Sequence, residues 1–433
     1  SLIRVRELTR QYLSETNPQR RETLLNELRG EEGAQPELLA KLLALIKPPL
    51  DLPQHITDSP EGYYRQIVQL SSGESVEYTL QLPPEYDPNR KYPCILALSG
   101  SIREFEINLP IDFWSGTNVK LEESEARFGH ASRYGYIVIS PNWMREFPGL
   151  YQYTEGEKSR VLSCFRDALR RTSVDTDRVF IAGHFEGAAA AWDIAQSHPD
   201  LWAGAILISP NADKFIPLYH SNIQAPKDSA GEPPLATYIV YGEKDGLRFS
   251  NYTIGTTIDR YLKDNRHDSI LVEYIGQGRG LFSSELPRIF QWMQLSSHRR
   301  VRTPRTRNFV TMRPGDRFFY WLEASQIAPE NATNAFELDA GSSAGRKGVF
   351  EANLLDPTQN TIRISKIPSA DRSGTLWLSP GMADFTREIT VIFRGKTSKY
   401  NLRPEIGIML EDVRQRGDRN HFFWQKIQLG TSK

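Results

Sequence analysis

Cysteine is nearly absent from this sequence: 433 residues hold two, Cys94 and Cys164. Two cysteines make neither a disulfide framework nor a metal site. Both lie in apolar runs, Pro93 to Leu98 and Val161 to Phe165, as buried free thiols do. Excess charge is absent as well. Lys plus Arg number 53 and Asp plus Glu 53, so bulk electrostatics gives no reason to expect nucleic acid or a membrane surface as partner. Near-zero net charge leaves little self-repulsion, which suits a protein partner or a homo-oligomer. No apolar run approaches the roughly 20 residues of a membrane span, and no secretory leader pattern is visible at Ser1. The eight histidines show no metal-ligand spacing, and neither a Walker glycine loop nor a dinucleotide fingerprint is present. No metal and no cofactor are therefore expected. Internal repeats and low-complexity tracts are missing.

What is there is an ordinary polar-leaning globular composition, 39% hydrophobic and 24% charged, long enough for two or three domains. Residues 1–50 read as helices. Asn17-Pro18 is a cap followed by proline at the first helical position; Leu24, Leu25 and Leu28 share a face. Leu38, Leu39, Leu42, Leu43 and Ile46 form a second stripe, stopped by Lys47-Pro48-Pro49. From Tyr63 the period changes to two, with Val76, Tyr78, Leu80 and Leu82 on one face. Short apolar runs then alternate with helical stretches: Cys94 to Leu98, Tyr136 to Ile139, Val179 to Ala182, Ala205 to Ile208, Tyr238 to Tyr241 and Ile270 to Tyr274. That alternation predicts an α/β domain over 60–297, a doubly wound, mostly parallel sheet covered on both faces. The basic stretch His298 to Arg307 reads as a linker. Residues 308–433 read as an all-β domain, with strands at Phe318 to Leu322, Thr361 to Ile364, Thr375 to Leu378 and Ile389 to Phe393.

One turn carries chemical meaning. The strand Arg178 to Ala182 runs into Gly183-His184-Phe185-Glu186-Gly187, and a helix begins at Ala188. Strand, sharp turn, helix is the setting of a nucleophile elbow. The flanking glycines allow the tight turn, and the middle residue is thrust above the sheet. A hydrolase needs an oxygen or sulfur nucleophile there. Phe185 has neither and cannot form an acyl-enzyme.

The stretch Asp177 to Gly187, continuing through Ala191 to Ala195 and His198 to Gly204, resembles α/β-hydrolases of the esterase and prolyl-oligopeptidase-like peptidase group. Leu82 to Pro88 and Lys91-Tyr92-Pro93 extend the resemblance, which spans roughly residues 63 to 293. The tail, with Arg416-Gly417-Asp418-Arg419, resembles C-terminal extensions of planctomycete-type members. The resemblance implies a nucleophile position at Phe185 and an acid at Asp245, after Tyr241-Gly242. It implies a base position at Arg279, in the turn Gly276 to Phe282. An arginine stays protonated and cannot act as a base. The family's oxyanion-loop His-Gly becomes Ser99-Gly100. His184 reads as scaffold, Glu186 as facing solvent or Arg279, and His267 as badly placed to replace the base.

The expected function is a catalytically degenerate hydrolase serving as a binding or structural module. Two alternatives stay open. One is an active esterase or peptidase-like hydrolase with altered machinery built on Glu186, Asp245 or Arg279. The other is a carbohydrate- or peptide-binding protein that uses the old cleft with Phe185 as its floor. The resemblance also implies a periplasmic or secreted location. If Arg279 stands where the base stood, its guanidinium is expected to pair with Asp245, in bidentate fashion, beside a buried Phe185.

Overall fold

In the computed structural model the described residues are 2–430, apart from 57–58, 101–108, 123, 145–149, 213–218, 227–231, 246–250, 334–345 and 356. The central sheet has eight strands: β1 Tyr63–Gln69, β2 Ser75–Gln81, β3 Tyr92–Leu98, β4 Ile137–Pro141, β5 Val174–His184, β6 Gly204–Ile208, β7 Ala236–Gly242 and β8 Asp268–Tyr274. Their spatial order is β1-β2-β4-β3-β5-β6-β7-β8. β1 and β2 pair antiparallel, and β2 is antiparallel to β4; from β4 to β8 the strands run parallel.

The inner strands are apolar throughout because both faces are covered. In β3, Leu96 and Leu98 pack with Val161 and Phe165 of the helix Glu155–Arg171 and with Ala188 and Trp192 of the helix Glu186–Ser197. Their neighbours Ile95 and Ala97 face the other way, into a cluster with Trp114 and with Ile289 and Phe290 of the helix Leu286–Met293. Both cysteines are buried thiols in these layers, and burial pushes the Cys94 thiol well above its ordinary pKa.

The first 50 residues form three helices, Leu2–Ser14, Pro18–Arg29 and Pro36–Leu45. The Asn17 carboxamide accepts from the amides of Gln19 at 2.9 Å and Arg20 at 3.3 Å, capping the second. Leu24, Leu25, Leu28, Leu39 and Leu43 are buried, whereas Leu38 stays 44% exposed.

They pack on Met409, Leu410 and Val413, and this corrects the expectation of an all-β tail, because those residues belong to a helix, Ile406–Arg416. Glu405 caps its start, accepting from Gly407 and Ile408. Gly417, at φ 76°, ends it; a methyl there would approach Leu169 Cβ at 2.9 Å.

The rest of the tail is β: a five-stranded sheet beginning at Thr306–Thr311 and a four-stranded sheet ending at Gln425–Leu429 share one core. Phe318 to Leu322 is not one strand. Tyr320 has φ 57°, and the chain turns between Phe318–Phe319 and Leu322–Ala324.

The 298–307 stretch is not loose. Arg300 meets Asp418 at 2.7 Å with both side chains buried, and Arg302 makes a two-pronged contact with Asp177 at 2.6 and 2.5 Å. Among the described residues, no helix is long and apolar enough to cross a membrane.

Candidate functional site: the turn after the fifth strand

β5 ends at His184, and the next residue makes the turn. Phe185 sits at φ 54°, ψ −118°, a strained backbone for a residue with a β-carbon, costing about 1–3 kcal/mol. The turn is held by neighbours on both sides. The Phe185 amide donates to the Ile208 carbonyl at 3.0 Å, and its carbonyl accepts from Ala188 at 3.0 Å and Ala189 at 3.1 Å. A methyl on Gly183 would overlap the Gly187 carbonyl; one on Gly187 would overlap the Leu98 carbonyl. Glycine is required at both positions because backbone meets backbone there.

Phe185 is 4% exposed. Gly100 lies against its ring, so that a β-carbon at Gly100 would stand 2.9 Å from Phe185 Cδ2. On another side the Arg279 guanidinium stands 5.4 Å from the ring centroid, in cation–π range. The benzyl group thus packs between Gly100 and the Arg279 guanidinium.

Asp245 follows β7 and is buried; Arg279 is about one-third exposed. The structure brings them together, as the spacing of the last turn implies, but by a single contact of 3.6 Å from Nε to Oδ2. The expected bidentate pair is not formed. A long, half-exposed contact of this kind contributes at most about 1 kcal/mol.

The turn carrying Arg279 is itself fixed. Gly242 packs against the carbonyls of Gln277 and Gly278, and the Lys244 amide donates to Gln277 at 2.7 Å. The Ser209 hydroxyl donates to the Gly280 carbonyl at 2.7 Å. Ser209, at φ 45° directly after β6, escaped the sequence reading. The signal available was a hydroxyl residue at the carboxyl end of a parallel strand.

Glu186 corrects its expectation. It faces neither solvent nor Arg279: it is 4% exposed, accepts from the Tyr151 amide at 2.8 Å and is bonded by the Asn211 carboxamide. His184 is buried edge-on against the Phe113 ring, with centroids 4.4 Å apart. Desolvation lowers its pKa to about 3, so the imidazole is neutral. His267 stacks on Tyr261, with its pKa lowered to about 4, chiefly by burial. Ser99 and Gly100 follow β3 directly, at the same end of the sheet as the turn.

Behind the turn, on the helix Glu186–Ser197, lies a polar cluster that no local pattern announced. Arg313 grips Asp193 with two bonds of 2.7 Å and Asp316 with one of 2.7 Å. Lys158 pairs with Asp316 as well, and Tyr151 and Tyr219 donate to Asp193 and Asp316 at 2.5 and 2.6 Å. Among the described residues no group of three His, Cys, Asp or Glu side chains is arranged to hold a metal ion.

The strand order, the antiparallel second strand and the strained turn after the fifth strand are those of the α/β-hydrolase fold. No family model matches the chain. A stretch of 160 residues is 26% identical to dipeptidyl-peptidase 5 of Porphyromonas gingivalis, covering 34% of this chain and 21% of that relative. The chain therefore spans about a fifth of that relative's length. Among solved structures, a thermostable esterase is matched at TM-score 0.39 and 18% identity, over 54% of this chain and 62% of the esterase. An S-formylglutathione hydrolase from Agrobacterium tumefaciens is matched at TM-score 0.39 and 12% identity, over 58% of this chain and all of that one. Dipeptidyl peptidase 4 of Porphyromonas gingivalis is matched at 0.37 and 16%, over 53% and 35%.

Proposed function

We propose that this α/β-hydrolase-fold chain performs no nucleophilic hydrolysis at its elbow and serves as a binding or structural module. The observation that carries this reading is Phe185 itself, a buried benzyl group at the apex where the chemistry needs a nucleophile. Covalent hydrolysis needs a nucleophile within hydrogen-bond reach of a base. A phenyl ring donates no proton, and the guanidinium over it accepts none. Glu186 is committed to the Tyr151 amide and the Asn211 carboxamide, and His184 is walled off against Phe113. An altered enzyme would have to free one of these groups first. The fold persists because its layers pack without the triad.

The test is activity. Purified protein is expected to turn over neither short acyl esters nor blocked dipeptide substrates, and to take no label from fluorophosphonate probes. A labelled serine near residues 183–187, or ester turnover that survives repurification, would overturn the reading.

A further inference from the structure

Where the helix Glu155–Arg171 meets the tail there is a cavity of about 420 Å³. Its lining includes Thr176, near the start of β5, and His198, just past the helix Glu186–Ser197. The cavity therefore lies toward the amino ends of the parallel strands, away from the elbow at their carboxyl ends. Its volume is within the roughly 300–1,000 Å³ typical of ligand sites.

Four arginines line it, and they are not equivalent. Arg300 is held by Asp418 at 2.7 Å, Arg416 by Asp412 at 2.8 Å and Arg317 by Glu323 at 3.3 Å. Among the described residues Arg166 has neither an ion pair nor a side-chain hydrogen bond, and it is exposed to the water of the cavity. The surrounding protein and the like charge of Arg416 lower its pKa, and Asp200 opposes them, so Arg166 stands beside a second cation that already has its carboxylate. Ser159 and Ser163 lie seven and three residues before Arg166, on the same face of the helix, and line the same cavity. Serines inside helices often turn the hydroxyl back to a carbonyl of the preceding turn. Neither of these does; both are half-buried, with their donors open to the cavity. One uncompensated cation with two hydroxyl donors on its helix face is complementary to an oxyanion. A single negative charge suffices. A dianion would bring a second charge toward Asp200, Asp412 and Asp418, which share the lining. Beyond the charged groups the wall is aromatic. Arg416 stands 4.6 Å over the Phe423 ring, and the half-buried rings of Phe318 and Trp377 lie 6.3 and 5.6 Å from Phe423. The ion pairs and rings already fix this wall, which lowers the ordering cost of binding.

We propose that this cavity binds a small monocarboxylic acid with an aromatic body, its carboxylate accepting from Arg166 and from the Ser159 and Ser163 hydroxyls and its ring against Phe318 and Trp377. The site is independent of the elbow, and an active hydrolase would keep it. The probe is phenylacetate, titrated into the full chain up to about 10 mM and followed by saturation-transfer NMR and calorimetry. Phenylacetamide, which has the same shape without the charge, and inorganic phosphate are each expected to bind at least about tenfold more weakly. Arg166→Gln is expected to weaken phenylacetate binding about tenfold or more without lowering the melting temperature, since Arg166 has no partner to lose. Arg166→Lys should restore part of the affinity, and Ser159→Ala with Ser163→Ala should weaken it about threefold or more. No binding of phenylacetate, equal binding of phenylacetamide, tighter binding of phosphate, or affinity indifferent to Arg166→Gln would each overturn the proposal.

Discussion

The two ends of the helix Glu186–Ser197 treat polarity in opposite ways. At its start, where a hydrolase keeps its most reactive side chain, stands a phenyl ring covered by Gly100 and by a loosely paired Arg279. About one turn from its end, Asp193 sits fully buried with Arg313, and that pair extends to Asp316 and Lys158. The first region combines a strained backbone with a buried apolar side chain. The second region has gathered charge and satisfied it. Buried charge is tolerable only when each ion is paired and hydrogen-bonded, and Arg313 achieves this by reaching across from the β-rich tail, just after its first strand Thr306–Thr311. The layers around the central sheet thus hold the tail by ionic bonds and fill the turn after β5 by packing.

This contrast can be broken first at Arg313. Arg313→Ala would leave Asp193 and Asp316 buried without their arginine, with Lys158 and two tyrosines as remaining hydrogen-bonding partners among the described residues. The expected loss is about 3–5 kcal/mol in denaturant unfolding. A loss below about 1 kcal/mol would mean that the cluster does not hold the two parts together.

A second, smaller effect concerns pH. His184 has a pKa lowered by desolvation to about 3 in the folded chain, against about 6.5 when unfolded. The unfolded state therefore binds the extra proton between those values. Stability from keeping the imidazole neutral is complete above about pH 6.5 and is lost as pH falls toward 3, with a slope near 1.4 kcal/mol per unit. His184→Leu removes that proton. Between pH 7 and 5 the variant should lose about 2 kcal/mol less than the wild type. Parallel curves would show that the imidazole titrates freely.

The smallest effect belongs to the 298–307 stretch. Arg302 is about one-third exposed, so Arg302→Ala should cost under about 1 kcal/mol. Limited proteolysis is the sensitive readout: slow cleavage there in the wild type, faster in the variant. Rapid cleavage of the wild type within 298–307, ahead of all other sites, would contradict the anchoring by Asp177 and Asp418.

The sequence made the elbow legible because its requirements are local. Gly183 and Gly187 must be glycine wherever strand, turn and helix meet this closely, and Phe185 falls between them by count alone. Asp245 and Arg279 were implied only through the family resemblance, which set one after Tyr241-Gly242 and the other within the turn Gly276 to Phe282; their proximity is a finding of the structure. Pairing across long separations was not. Glu186 looked like a free carboxylate because its partners, Tyr151 and Asn211, lie 35 and 25 residues away. The helix Ile406–Arg416 was passed over among strands, although Glu405 and Gly417 bracket it; its apolar face became meaningful only once the N-terminal leucines were seen to cover it. The basic run 298–307 looked like linker because its acidic partners, Asp177 and Asp418, are more than 100 residues distant.

The most direct test of packing against chemistry at the elbow is equilibrium unfolding of Phe185→Ala. A side chain retained for packing, buried at 4% exposure, leaves a cavity when truncated, and alanine at the same positive φ relieves no strain. The expected result is a loss of about 3 kcal/mol with an unchanged denaturant slope. Unchanged or increased stability, as for a residue kept in place by function at the expense of the fold, would contradict the claim that Phe185 is there to fill the site.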